Sequence, residues 1–267
     1  ASHPLSPVQA RRIIKSGVPT APILMKTNIQ RVPSGFTLIE LLVVVVIIAT
    51  LASLTFLGFS RMRAAGDRAA TVAIMRQLQV ANMGYAIDNN GQYVPIAEKD
   101  KDGALSMEWY KNPKVRAYLT GDPNETEKSA NELLVAPVSV LDPIVVRKKQ
   151  RQWDRISASY GINSTGLTWP TNDQSPPMSY KISQVANPGR TAFIASATNY
   201  MISHGDRYLW KSGPVEGKTT TNKMAFRHEN KAVVIYYDGS TGFITPGDLA
   251  EFDRKGGIAN PFWKATP

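Results

Sequence analysis

The pattern of apolar and polar positions sets one segment of the chain apart. Between Phe36 and Phe59, 24 residues follow one another with a single charged side chain, Glu40. As a helix this run would be about 36 Å long at 1.5 Å per residue. The hydrocarbon core of a bilayer is about 30 Å thick. The pattern therefore predicts a membrane-spanning helix with one acidic residue near its start.

The helical pattern continues beyond the apolar run with an amphipathic periodicity. Apolar side chains recur at positions 74, 78, 81 and 85, and arginines occupy polar positions between the run and this face. The sequence DNNG at 88–91 and Pro95 indicate where the helix ends. We therefore expect one helix from Phe36 to Asn89, with a second half that packs on the residues that follow.

The C-terminal half has the composition of β-strands. Residues 156–163, 190–197 and 231–245 are rich in β-branched and aromatic side chains. In the last segment two such runs flank Asp238 and Gly239, which predicts a type I′ two-residue hairpin. Both faces of the hairpin are apolar, so it should lie within a sheet. The predicted fold class is α+β, with the amphipathic half of a long N-terminal helix packed on an antiparallel sheet.

Composition and charge narrow the function classes. The chain contains no cysteine, which excludes disulfides, thiolate metal sites and thiol catalysis. Half of the net charge of +10 is carried by residues 1–35, which hold five basic residues and no acidic one. A basic segment before a long apolar run is typical of a targeting signal. Basic residues are not interleaved with aromatic ones elsewhere, so nucleic-acid binding is disfavoured.

The junction of the basic and apolar segments carries a specific motif. The sequence GFTLIELLVVVVIIATLA, which begins at Gly35, resembles the prepilin motif shared by type IV pilins and type II secretion pseudopilins. The resemblance implies that a prepilin peptidase cuts between Gly35 and Phe36 and methylates the new amine of Phe36. It also implies that Glu40 is the glutamate on which assembly of these proteins depends.

The same resemblance implies a pilin-like division of the chain into three parts. Residues 1–35 would be a leader, of which residues 1–24 would be an upstream extension. Residues 36–59 would be the transmembrane and assembly helix, and residues 60–267 an extracytoplasmic globular head. The expected location is the inner membrane, crossed once, with the head in the periplasm and later in a pseudopilus or an extracellular pilus.

An acidic residue in the apolar run also has a physical explanation. A carboxylate at membrane depth costs about 2.5–3.5 kcal/mol, so it should gain a positively charged partner. The amine of Phe36 lies about 6 Å from Glu40 along the helix axis. A neighbouring helix displaced by a similar step would bring its own amine to this carboxylate. The alternatives are a signal anchor with a stray acid and a conventional signal peptide cut near Ala52.

A second resemblance covers the C-terminal region. The segments SASYGINS, ISQVANPGRTAFIAS and AFRHENKAVVIYYDGSTGFI resemble pilin-like proteins abundant in planctomycetes and verrucomicrobia. The signature of those proteins is a His, nine residues and then Asp-Gly, which His228, Asp238 and Gly239 match. Where many of them carry Cys-Pro, this chain has Ala136 and Pro137, so no disulfide or metal role follows for that position.

His228 and Asp238 raise the question of a chemical site. A His–Asp pair would suit a metal ligand set or a catalytic dyad, but a structural role for His228 in the hairpin is favoured. Three histidines scattered along the chain do not form a metal-binding pattern. No cofactor is expected, and the acidic turn DKDG at 100–103 leaves calcium as the ion to consider.

Together these features predict a subunit that polymerises and is not an enzyme. The leading function is a structural subunit of a type II secretion pseudopilus. The alternatives are a major or minor type IV pilin in adhesion, motility or DNA uptake, and a membrane-anchored binding module that does not polymerise. The expected partners are homologous pilin or pseudopilin subunits, prepilin peptidase and an inner-membrane assembly platform.

Overall fold

The computed structural model of the chain describes residues 35–99, 105–124, 140–147, 159–171, 175–205 and 224–266. The expectations for residues 1–34, for the DKDG turn and for Ala136-Pro137 lie outside the described residues. The chain forms two compact units, one up to Leu51 and the other from Ala52 onward.

Helix α1 (Leu38–Asp88) is the longest element and contains 51 residues. The predicted long helix from Phe36 to Asn89 is confirmed, with a start two residues later and an end one residue earlier than predicted. The helix ends at the DNNG sequence, where Asn90 and Gly91 both have positive φ angles. The amide of Gly91 donates a 2.8 Å hydrogen bond to the carbonyl of Ala86. Asn and Gly adopt the left-handed conformation at low cost, so this sequence ends the helix efficiently.

A five-stranded sheet forms the centre of the second unit. Its strands are β3 (Tyr160–Asn163), β4 (Ala192–Ser196), β5 (Met201–Ile202), β6 (Ala232–Tyr236) and β7 (Thr241–Ile244), and their order is β5-β3-β4-β6-β7. A separate antiparallel pair consists of β1 (Ala97–Lys99) and β2 (Leu105–Glu108).

The five-stranded sheet is mixed, which corrects the expectation of an antiparallel one. Strands β3 and β5 run parallel, whereas the other neighbours in this sheet are antiparallel. The reason is that both edges of β4 are occupied, by β3 and by β6. When the chain reverses after β4, β5 therefore pairs with the free edge of β3, along which it runs in the same direction.

Successive side chains of β6 alternate between two hydrophobic clusters. Val233 and Ile235 belong to the cluster formed with α1, and Val234 belongs to the cluster formed with α4 (Pro246–Arg254). The α1 cluster includes the helix residues Met75, Leu78, Ala81 and Tyr85. The opposite cluster includes Leu249, Phe262 and Trp263. The strand is buried on both faces, which explains why both faces of the hairpin are apolar.

The side chains of α1 that pack on the rest of the chain do not directly follow the apolar run but begin several residues after it. Met62 and Ala65 are exposed, and Thr71 is the first fully buried one among the helix side chains that the structure describes. Two short helices also contact α1 or its cluster. Val115 of α2 (Pro113–Thr120) is buried in the cluster, and α3 (Pro143–Arg147) is joined to α1 by an ion pair between Arg147 and Asp67.

Candidate functional site

The first turn of α1 is organised by Thr37 and Glu40. The carboxylate of Glu40 accepts hydrogen bonds from the Thr37 amide (2.8 Å) and the Thr37 hydroxyl (2.7 Å). In return the amide of Glu40 donates to the Thr37 hydroxyl at 3.3 Å. This reciprocal arrangement is a capping box, which satisfies amide groups that a helix start leaves without partners. The sequence TLIE therefore starts the helix and also gives the lone carboxylate hydrogen-bond donors within its own chain.

Gly35 and Phe36 precede the helix and are accessible. The ring of Phe36 is 77% exposed. A side chain added at Gly35 would meet no other atom of the described chain within 4 Å. Nothing among the described residues of this chain therefore covers the peptide bond between Gly35 and Phe36, where cleavage is expected.

The apolar half of α1 presents its side chains outward. From Leu38 to Ile48 the large apolar residues are between 43% and 84% exposed. Within the described residues, α1 is the one helix long and apolar enough to cross a membrane. So much exposed apolar surface on one helix requires a lipid or protein environment to cover it.

His228 lies in a tight turn that precedes β6. His228 and Lys231 exchange two backbone hydrogen bonds of 3.1 and 3.0 Å. The two residues between them, Glu229 and Asn230, have φ angles of 53° and 61°. Positive φ at both central positions defines a type I′ turn. The side chain of His228 is buried, and its Nε2 lies 3.6 Å from Oδ2 of Asp142.

Asp142 is the fully buried carboxylate of this region. Its Oδ1 accepts a 2.8 Å hydrogen bond from the amide of Ile144, and its Oδ2 lies 3.8 Å from Nη1 of Arg227. Burial by itself raises the pKa of the Asp142 carboxyl. The adjacent His228 imidazole and the Arg227 charge outweigh burial, so the pKa of Asp142 lies below its ordinary value. We call Asp142, Arg227 and His228 the buried charge cluster.

Asp238 lies at the other end of β6 from His228. It is exposed, and its Oδ1 accepts a 2.8 Å hydrogen bond from the amide of Ser240. β6 contains five residues, which span about 17 Å in a strand. The strand therefore separates the two residues of the His-x9-Asp-Gly signature, and the carboxylate that His228 contacts is that of Asp142.

The turn at Asp238-Gly239 differs from the predicted type I′ hairpin. Gly239 has a φ of 85°, whereas the φ angle of Asp238 is not positive. The amide of Gly239 donates a 2.9 Å hydrogen bond to the carbonyl of Tyr236. This geometry is a type I turn followed by a glycine in the left-handed region, the common three-residue hairpin loop. The glycine is required, but one position later in the turn than the sequence pattern suggested.

The other histidine that the structure describes also pairs with a carboxylate. Nε2 of His204 lies 2.9 Å from Oδ1 of Asp253 in α4. His3 lies outside the described residues. In the described part of the chain, no group of three or more His, Cys, Asp or Glu side chains is placed to hold a metal ion.

A pair of buried amide side chains on α1 was missed by the sequence analysis. Nε2 of Gln79 donates to the carbonyl of Tyr237 at 2.5 Å, and Nδ2 of Asn82 donates to Oε1 of Gln79 at 3.0 Å. Oδ1 of Asn82 accepts from the amide of Val94 at 3.0 Å. These bonds join the helix to the end of β6 and to the chain that follows the helix. Their signal was the presence of two amides three residues apart beside the apolar face.

Comparison with known proteins identifies the first part of the chain. The family model of the prokaryotic N-terminal methylation motif matches residues 31–56. This range contains Gly35, Phe36 and the capping box of Thr37 and Glu40. No curated protein and no solved structure matches the chain. The motif indicates a prepilin-peptidase substrate of the type IV pilin or pseudopilin kind, a class of membrane-anchored structural subunits.

Proposed function

We propose that this chain is a structural subunit of a type II secretion pseudopilus. The observation that carries the proposal is the position of the methylation motif, which coincides with the first turn of a 51-residue helix. The apolar half of this helix has no cover within the described chain, and its other half is integrated into an α+β domain. Such a subunit acts by polymerising through the exposed helix.

In the proposed mechanism, prepilin peptidase cuts between Gly35 and Phe36 and methylates the amine of Phe36. The subunit is stored in the inner membrane as a single-pass protein, with residues 60–267 in the periplasm. Assembly machinery then transfers the apolar helix into a bundle of like helices. In that bundle the exposed apolar side chains are covered by other subunits instead of lipid.

Glu40 is the proposed contact between subunits. In the isolated chain its carboxylate is held by the amide and hydroxyl of Thr37. A carboxylate offers about four lone-pair sites, so these two bonds leave room for a further donor. The cationic amine of Phe36 from a neighbouring copy would be this further donor to the Glu40 carboxylate. The pair would fix the stagger between helices, because a buried charge without a partner is strongly unfavourable.

The type IV pilin alternative shares this mechanism, because both classes carry the motif. A subunit of the secretion system should be required for export of a secreted protein and remain within the periplasm. A pilin should be recovered as filaments sheared from the cell surface. Genes for a secretin, an assembly ATPase and a prepilin peptidase nearby would favour assembly over a membrane-anchored module that does not polymerise.

The C-terminal region is proposed to be of the kind found in the planctomycete and verrucomicrobial pilin-like proteins. In support, the signature histidine and the signature Asp-Gly occupy the two turns that bracket β6. Both turns require positive φ, at Glu229 and Asn230 in one and at Gly239 in the other. The signature would therefore specify how β6 begins and ends.

Mass spectrometry of the protein extracted from membranes tests the proposal. The expected N-terminus is N-methylated Phe36, and Gly35→Val should leave the leader attached because the peptidase must accommodate the residue before the cut. Gly66→Val is a matched control, since Gly66 also has no neighbouring atom within 4 Å but lies outside the motif. An intact leader in the wild-type protein, or an N-terminus near Ser53, would show that the proposal is wrong.

A further inference from the structure

Two arginines follow the apolar run and have no acidic partner among the residues that the structure describes. Arg61 and Arg63 are exposed, and no acidic side chain among the described residues pairs with either of them. The next two arginines of α1 each contact a side chain outside the helix. Nη1 of Arg68 lies 2.9 Å from the carboxylate of Glu229, and Nε of Arg76 donates to the Thr241 hydroxyl at 3.1 Å. Among the described contacts, Arg61 and Arg63 therefore differ from Arg68 and Arg76, whose side chains bind residues beyond α1.

The distance of Arg61 and Arg63 from the end of the apolar run is within the thickness of the headgroup layer of a bilayer. At 1.5 Å per residue, Arg61 and Arg63 lie about 3 and 6 Å beyond Phe59 along the helix axis. A bilayer about 40–45 Å thick with a core of about 30 Å has a headgroup layer of about 5–7.5 Å on each side. With Phe59 at the edge of the core, both guanidinium groups lie in the layer that contains the lipid phosphates.

The arrangement around the helix also suits several lipids at once. Residues two apart on a helix are separated by about 200° around its axis. Arg61 and Arg63 therefore project to opposite sides at nearly the same depth. Each guanidinium is a planar fork whose donors match the oxygens of a phosphate. Lys and Arg are usually enriched on the cytoplasmic side of a membrane, whereas Arg61 and Arg63 would lie on the opposite side. A favourable contact with lipid phosphates would offset the cost of that placement.

We propose that Arg61 and Arg63 bind phosphate groups of anionic phospholipids in the leaflet on the head side and thereby fix the depth of α1 before assembly. This inference rests on the membrane-stored state of the proposed function. Transfer of the helix into a filament then requires that these lipid contacts be broken. The two arginines would favour the stored subunit until the assembly machinery acts.

The test measures lipid selectivity of the full chain purified from membranes. The protein is reconstituted in phosphatidylcholine vesicles that contain a trace of spin-labelled phosphatidylglycerol or spin-labelled phosphatidylcholine. Arg61→Gln with Arg63→Gln should lower the relative association constant for phosphatidylglycerol by about fivefold for each arginine removed at low salt. Arg61→Lys with Arg63→Lys keeps the charges but not the planar forks, so it should retain selectivity only in part.

A matched control removes two charges elsewhere. Lys181 and Arg190 are exposed and lie outside α1. Lys181→Gln with Arg190→Gln should therefore leave selectivity unchanged. The inference is wrong if the wild-type protein binds both probes equally, if Arg61→Gln with Arg63→Gln keeps its selectivity, or if the control variant loses as much. The N-terminal mass of the same samples reports processing at Phe36 separately, so failure of the proposed function is distinguishable from failure of this inference.

Discussion

The substitution Asp142→Asn tests the buried charge cluster most sharply. Asparagine has nearly the same shape and keeps the Oδ1 oxygen that accepts from the Ile144 amide at 2.8 Å. It replaces the charged Oδ2 oxygen that faces Arg227 and His228 by an uncharged NH2 group. Any loss of stability therefore reports the loss of the carboxylate from the cluster and not a change in the local turn.

The expected loss follows from the burial of the cluster. The side chains of Asp142 and Arg227 are 0% and 7% exposed, so solvent screens their interaction little. Removing one partner of a buried pair costs about 3–5 kcal/mol. Arg227 retains hydrogen bonds to the carbonyls of Ser159 (3.2 Å) and Ala197 (2.9 Å). We therefore expect a smaller loss, about 2–3 kcal/mol, or a decrease in Tm of about 5–10 °C for a domain of this size.

The assay is urea unfolding of residues 60–267 at pH 7, followed by tryptophan fluorescence. Asp238→Asn is the matched control. Asp238 also accepts a 2.8 Å hydrogen bond from a backbone amide two residues on, but it is exposed. Its substitution should change the free energy of unfolding by no more than about 0.5 kcal/mol.

The pH dependence provides a second measurement on the same variants. The pKa of Asp142 is lowered in the folded state, so its charge stabilises the fold above the unfolded-state pKa of about 3.9. This contribution is lost as the pH falls through the folded-state pKa. The difference in stability between wild type and Asp142→Asn should therefore shrink below about pH 4. Equal unfolding midpoints for Asp142→Asn and Asp238→Asn at pH 7 would refute the reasoning.

Three further predictions concern assembly and the head. The Glu40→Leu protein should insert into the membrane and be processed but should not assemble into filaments, as measured by cross-linking or shearing, and Glu40→Gln should be intermediate. If Glu40→Leu assembles as well as wild type, Glu40 is not a contact between subunits. Thr37→Val should weaken the helix start by about 1 kcal/mol and assemble less well than wild type, with processing intact; assembly and helix content equal to wild type would contradict a role for the capping box. Residues 60–267 should fold as a soluble domain that His228→Ala destabilises, and chelators should leave both proteins unchanged; wild type that unfolds in chelator while His228→Ala does not respond would identify a metal site instead.

The sequence alone was sufficient for the features that depend on neighbouring residues. The prepilin motif, the helix and its end at DNNG, and the strands of the β6–β7 hairpin each occupy a continuous segment. An N-cap residue followed three positions later by an acid favours a helix start, and both are present in TLIE. Even so, the apolar surroundings of Glu40 in the sequence suggested only a partner from another chain. The structure adds that Thr37 of the same chain already donates hydrogen bonds to the Glu40 carboxylate. The sequence TLIE does not by itself distinguish an acid in a capping box from an acid that pairs with another chain.

The tertiary structure decided which distant residues meet. His228 pairs with Asp142 instead of Asp238, because a five-residue strand separates the two residues of the signature. The mixed sheet arises because β5 finds a free edge only at β3. Neither outcome is encoded near the residues concerned. Local sequence fixes the backbone dihedral angles of an element, whereas contacts between elements depend on which faces and edges remain free when the whole chain has packed.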